Sequence, residues 1–273
     1  MTLLQLFVLA AVQGVTEFLP VSSSGHLILV PAVIGWPDQK LLIDVAVHLG
    51  TLLAVVAYFW RDVGTLFAGT YGLLRGRRNT ATRLVSLLML GSIPVVIAGG
   101  LLVAFGLSDQ LRNPEIIAWT TLVFGIVLFL ADRLFLTVRK IEQMTLGHAA
   151  LIGLAQVLSL VPGTSRSGIT MTAARMLGFE RAEAARFSML LSIPTILAAG
   201  ILVTLDAAQL GGGAALSEAF FTGLLAFGFA LLSIAALLAW LRRASFTPFA
   251  IYRVILGAGL LVWIYSFDAV GLT

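Results

Sequence analysis

The chain has 273 residues, 59% of them hydrophobic and only 11% charged, with a mean hydropathy of +1.04; soluble domains carry about 25% charged residues, so a soluble fold is excluded. The net charge of +4 comes mostly from arginines between apolar segments, where it reads as membrane topology and not as nucleic-acid binding. Cysteine is absent, which excludes thiolate metal sites.

The opening M-T-L-L-Q-L-F has no basic stretch and reads as the first apolar segment, not as a cleavable signal peptide. Apolar segments fall at about 3–19, 27–35, 41–60, 84–105 and 115–136, and again at about 146–161, 168–178, 183–204, 219–241 and 248–267. The halves share landmarks: Gln13 and Gln156, Gly25 and Gly168, and Gly35 and Gly178 are each 143 residues apart, and Pro20 and Pro162 are 142 apart. Such a repeat predicts one membrane domain, 1–273, built from a first unit of about 1–140 and a second of about 141–273.

The second segment of each half is too short for the ~30 Å hydrocarbon core at 1.5 Å per helical residue. Each half is therefore expected to open with a helix–loop–helix that enters the membrane and returns, followed by three full spans. The fold class is an all-α polytopic membrane protein. The arginines set its topology. Arg61, Arg75, Arg77, Arg78 and Arg83 place the 61–83 segment, read as a loop, inside, as Arg133, Arg139 and Lys140 do for 133–145, and Arg242 and Arg243 for the turn that follows 241. Loops 106–114 and 205–218 and the 36–40 turn lack a positive excess and fall outside. Three spans per half is odd, so the repeats are inverted, and their broken helices should meet near the midplane around a binding cavity.

The polar residues concentrate at those breaks. Gln13 and Glu17 are four apart on one helix face, and an acid inside an apolar segment is a functional candidate. Ser22, Ser23, Ser24 and Gly25 precede a helix start. One serine is needed to cap it, while the remaining hydroxyls and main-chain N–H groups suit an oxyanion. His26 follows directly, close enough in sequence to pair with a hydroxyl nucleophile. The second break, P-G-T-S-R-S-G-I-T at 162–170, contributes Gly163, Thr164, Ser165, Arg166, Ser167 and Thr170. A guanidinium at a helix start points to a phosphate. Arg253 either snorkels to the cytoplasmic surface or reaches the cavity. His48 and His148 have no such company in sequence and take no role. A phosphate-rich head group on a lipid tail, entering sideways from the bilayer, fits this set.

The pairing of Q-G-V-T-E-F-L-P-V-S-S-S-G-H (13–26) with the 162–170 motif resembles the undecaprenyl-pyrophosphate phosphatase family, the bacitracin-resistance proteins of bacterial inner membranes. S-F-T-P-F-A-I-Y-R (245–253) and A-V-H-L-G-T-L-L-A-V-V (46–56) resemble it too. The resemblance implies hydrolysis of undecaprenyl pyrophosphate to the monophosphate carrier used in peptidoglycan synthesis, a divalent cation (Mg²⁺ or Ca²⁺), and a site open to the periplasm. It further implies a catalytic set of Glu17, Ser23, His26 and Arg166, with Ser23 or His26 as nucleophile and Glu17 as the metal ligand. Gln13, Ser22, Ser24, Gly25, Gly163, Thr164, Ser165, Ser167 and Thr170 would bind substrate. The implied partners are the lipid pyrophosphate and bilayer lipids, with no nucleic acid; the oligomeric state is open, a dimer included. A transporter or flippase of polyprenyl phosphate or another anion is the alternative use of such a cavity.

Overall fold

Helix α1 (Leu3–Thr16) begins in a capping box, with the Thr2 side chain accepting from the Gln5 N–H and the Gln5 side chain accepting from the Thr2 N–H. The computed structural model describes residues 1–36, 41–135, 137–207 and 213–270. The 36–40 turn beyond Trp36, and the centre of the 205–218 loop, lie outside them. After a break, α2 (Ser23–Ile34) runs to Gly35, whose φ of 72° ends the helix. There follow α3 (Leu41–Tyr58), α4 (Trp60–Leu74), α5 (Thr80–Ala104) and α6 (Pro114–Leu134). The second half comprises α7 (Leu146–Val157), α8 (Arg166–Met176), α9 (Arg181–Ala207), α10 (Gly213–Leu241) and α11 (Thr247–Val270). Among the described residues the only β pairing is a single bridge, Arg139 with Phe179.

Six of these helices, α3, α5, α6, α9, α10 and α11, are long and apolar enough to cross a membrane, three in each half. At 14 residues, α1 spans only about 21 Å and falls short of the hydrocarbon core on its own. The arginine-rich 61–83 segment is not the expected loop. Most of it is α4, whose Phe67, Tyr71 and Leu74 stay exposed on one side while Gly69 and Gly72 face inward. An ion pair from Arg186 of α9 to Asp62, 2.5 Å, holds α4 to the body. The 205–218 loop is likewise shorter than expected, because α9 continues to Ala207 and α10 starts at Gly213.

Packing interleaves the halves. α1 lies against α10, and α7 against α5; α3 packs on both α10 and α9, and α6 on α11. The α3–α10 crossing is close, since a Cβ on Gly50 would stand 2.1 Å from the Gly223 carbonyl oxygen. Small residues at crossings are how membrane helices gain contact when lipid supplies no hydrophobic contrast. The largest buried cluster, with Phe18, Leu128, Met171, Phe187 and Phe246, spans both halves. Near one end of the molecule, Asp132 of α6 accepts from Arg175 Nε (3.0 Å), Arg181 Nε (2.7 Å) and the Phe246 N–H (3.0 Å), tying α6, α8, α9 and the approach to α11 together.

Candidate active site

Both breaks are built alike. Ser22 and Ser165 are the non-glycine residues with positive φ among the described residues, at 75° and 72°. Each caps the next helix: Ser22 Oγ accepts from the Gly25 N–H (3.4 Å) and Ser165 Oγ from the Gly168 N–H (3.0 Å). An L-residue at positive φ is strained, and the cap is the compensating interaction. Gly163 has a φ of 89° and no room for a side chain, since a Cβ there would lie 2.1 Å from Thr120 Oγ1.

The breaks face each other. Glu17, just past α1, is buried and uses both carboxylate oxygens. Oε1 pairs with Arg166 Nη2 at 2.9 Å; Oε2 accepts from Ser23 Oγ at 2.6 Å and from Gln13 Nε2 at 2.9 Å. The Arg166 guanidinium also donates to the Ser188 carbonyl (3.3 Å) and stacks 6.0 Å from the Phe18 ring centroid. Ser167 Oγ donates to the Leu19 carbonyl (2.9 Å), a second tie from break to break. Thr170 Oγ1 lies 2.7 Å from Ser188 Oγ.

Glu17, Ser23, Ser24, Ser165 and Arg166 line a cavity of about 470 Å³. The rest of its lining is largely apolar, with Leu27, Ile28, Val45, Leu49, Leu160 and Ile196. Such a lining, charged and hydroxylated at Glu17, Ser23 and Arg166 and otherwise mostly apolar, suits an amphiphile.

Other expected residues stand apart. Gln13 is fully buried behind Glu17, away from the cavity lining. Its Oε1, like Thr164 Oγ1, has no hydrogen-bond partner among the described residues. His26 turns away from Ser23. Its Nδ1 lies 2.6 Å from the Ser22 carbonyl oxygen, its Nε2 lies 2.6 Å from Tyr252 Oη of α11, and the two rings stack. The cavity instead holds His48, which sequence reasoning left without a role, together with Asp44 and Arg112. The His48 Nδ1 sits 2.7 Å from the Asp44 carbonyl oxygen. The signal was present: Asp44, His48 and Thr51 are the polar residues of α3, spaced four and three apart along one side. Arg253 neither snorkels nor lines the cavity. It is buried beneath both breaks.

The donor set limits how a cation could bind. Among the described residues no three His, Asp or Glu side chains come together as ligands, and Glu17 already serves three protein donors. Such a set fits an ion that draws most of its oxygens from a bound phosphate, as Mg²⁺ commonly does.

A family profile for bacitracin resistance protein BacA matches residues 6–259. Among curated relatives, the undecaprenyl-diphosphatase of Roseobacter denitrificans is 51% identical over 267 residues, covering 97% of this chain and 100% of that protein. Undecaprenyl-diphosphatase 1 of Rhodospirillum rubrum is 50% identical over 273 residues, covering 97% of this chain and 96% of its own length. The undecaprenyl-diphosphatase of Hahella chejuensis is 49% identical over 266 residues, covering 97% and 99%.

Proposed function

The chain belongs to the BacA family of bacitracin resistance proteins, and from that premise we propose that it hydrolyses undecaprenyl diphosphate to undecaprenyl phosphate and inorganic phosphate, as a multi-pass enzyme of the bacterial inner membrane. One observation carries the chemistry: the Ser23 hydroxyl donates to Glu17 at 2.6 Å beside Arg166, in the lining of a largely apolar cavity.

In this reading Ser23 Oγ attacks the terminal phosphorus and its proton passes to Glu17 Oε2. The bond from phosphorus to the bridging oxygen breaks, and undecaprenyl phosphate leaves. Water then attacks the phosphoserine, the P–Oγ bond breaks as Glu17 returns the proton to Oγ, and inorganic phosphate leaves carrying both protons of the water. Charge on the equatorial oxygens is met by Arg166 and by the N–H groups at the starts of α2 and α8, the stabilisation phosphoryl transfer needs. Glu17 would hold a divalent cation jointly with the diphosphate, and the cation would supply further neutralisation of phosphate charge. Gln13 orients Glu17 from behind, and Ser22 and Ser165 act through their caps. His26 acts on the shape of the first break rather than on phosphorus, given its bonds to the Ser22 carbonyl and Tyr252.

The halves are read as inverted repeats with re-entrant hairpins α1–α2 and α7–α8. Support comes from three span-length helices per half, the matched caps at Ser22 and Ser165, and the exchanged packing of α1 on α10 and α7 on α5. An opening toward the periplasm is supported by Leu41, next to the 36–40 turn, and by Arg112, within the 106–114 loop, both of which line the cavity. A transporter would need the anion site, but not a hydroxyl set against a carboxylate inside it.

The test is phosphate release from undecaprenyl diphosphate by the purified protein, with Mg²⁺, with Ca²⁺ and with chelator. Turnover that needs a cation, and that falls about 10³-fold or more in Ser23→Ala and about 10²–10³-fold in Arg166→Ala, is expected. Absence of hydrolysis by folded protein under any ion would send the cavity back to transport.

A further inference from the structure

Arg253, on α11, is fully buried, yet no carboxylate among the described residues pairs with it. All its partners are main-chain carbonyls. Nε donates to Thr121 O of α6 (3.3 Å), Nη1 to Pro20 O (3.3 Å), and Nη2 to both Gly163 O and Thr164 O (2.9 Å each). Pro20 lies in the break that carries Glu17 and Ser23; Gly163 and Thr164 lie in the one that leads to Arg166. Carbonyls in a helix break have lost their intrahelical donors and, once buried, need others. A buried charge is costly, so its retention calls for a reason beyond packing.

We propose that Arg253 is a positioning residue for the hydrolysis: its planar fork fastens the two breaks to each other and to α6, and so sets the spacing between the Glu17–Ser23 pair and Arg166. This rests on the reading of those three residues as the reacting site. Lysine could keep the charge, but not the fork that reaches four carbonyls in three segments. Misplacement by about 1 Å is enough to lose roughly 10²-fold in rate.

The experiment compares Arg253→Lys, Arg253→Gln and Gly125→Ala with wild type and Ser23→Ala, all purified in detergent with divalent cation. Gly125→Ala adds an independent perturbation, because its Cβ would stand 2.8 Å from Arg253 Cβ and 3.3 Å from the Ala250 carbonyl oxygen, pushing the stem of Arg253 away from α6 without removing a polar group. The folded fraction is measured by size exclusion and thermal unfolding, and kcat and KM for undecaprenyl diphosphate are expressed per folded molecule. We expect kcat to fall about 100-fold in both Arg253 variants, with KM changed by less than about threefold, and Gly125→Ala to fall in the same direction. Wild-type kcat per folded molecule in Arg253→Lys would overturn the proposal, as would losses explained wholly by unfolded protein. Should neither Arg253 variant fold, Gly125→Ala decides on the same criteria. Turnover that survives Ser23→Ala would overturn the underlying reading of the site, and this proposal with it; loss in Ser23→Ala with full activity in Arg253→Lys overturns this proposal alone.

Discussion

Glu17 joins partners from three places: Gln13 one turn back, Ser23 across the break, and Arg166 from the other half. Removing its charge therefore does two things. In Glu17→Gln, Ser23 loses its proton acceptor and the partly buried Arg166 is left without the Glu17 counter-charge. We expect turnover to fall about 10³-fold or more, and unfolding in detergent to show a loss of up to about 3–5 kcal/mol, the range for breaking a buried pair. The placement of His26 against Tyr252 predicts where a phosphoenzyme forms. Radiolabel from the terminal phosphate, trapped by a denaturing quench near neutral pH, should survive later acid treatment and map to Ser23; an acid-labile label on His26 would reverse the assignment. Much of this was legible in the sequence, because Glu17, Ser23 and Arg166 sit in motifs whose flanks are otherwise apolar. The side-chain directions of His26 and His48 were not. Neighbours in sequence on either side of a helix start point to different faces, and the cavity wall from α3 is assembled only by tertiary packing.

At the scale of elements, the breaks depend on two serines in a backbone region that favours glycine. This gives a prediction in which two substitutions differ in sign of effect. Ser165→Ala loses the cap to Gly168 N and keeps the strained φ, and should destabilise by about 1 kcal/mol. Ser165→Gly loses the same cap but relieves a strain of roughly 1–2 kcal/mol, and should be near neutral or slightly stabilising. Thermal unfolding of the two purified variants checks the order. Most helix boundaries could be read in advance from apolar runs and from Pro, Ser and Gly at their ends. α4 could not, because its flanking arginines read as a loop, although Phe67, Tyr71 and Leu74 recur at spacings of four and three. Arg253 stayed open between two readings for a related reason: a sequence shows that an arginine lies in a span but not which carbonyls have lost their donors elsewhere.

For the whole molecule, the absence of cysteine makes the topology directly measurable. Single cysteines at Gly76, between α4 and α5, and at Arg243, after α10, should react with a membrane-impermeant maleimide only in inverted vesicles or lysed cells. One at Leu107, before α6, should react in intact spheroplasts. Labelling of Leu107→Cys from the cytoplasmic side would contradict the inverted arrangement. The six span-length helices could be read from the apolar segments of the sequence. The interleaving of α1 on α10 and α7 on α5 had no counterpart in the sequence pattern, since apolar faces do not name their partners.

Arg253 also imposes an order of events during biosynthesis. The ribosome delivers Pro20, Gly163 and Thr164 to the membrane before it reaches Arg253, and chains generally fold from the N-terminus as they emerge. Until α11 arrives, the carbonyls of Pro20, Gly163 and Thr164 lack the donor they have in the finished fold. If the Arg253 fork is what spaces the two breaks, the nascent protein can hold its spans in the bilayer without yet holding a hydrolase, and competence comes only with its last helix.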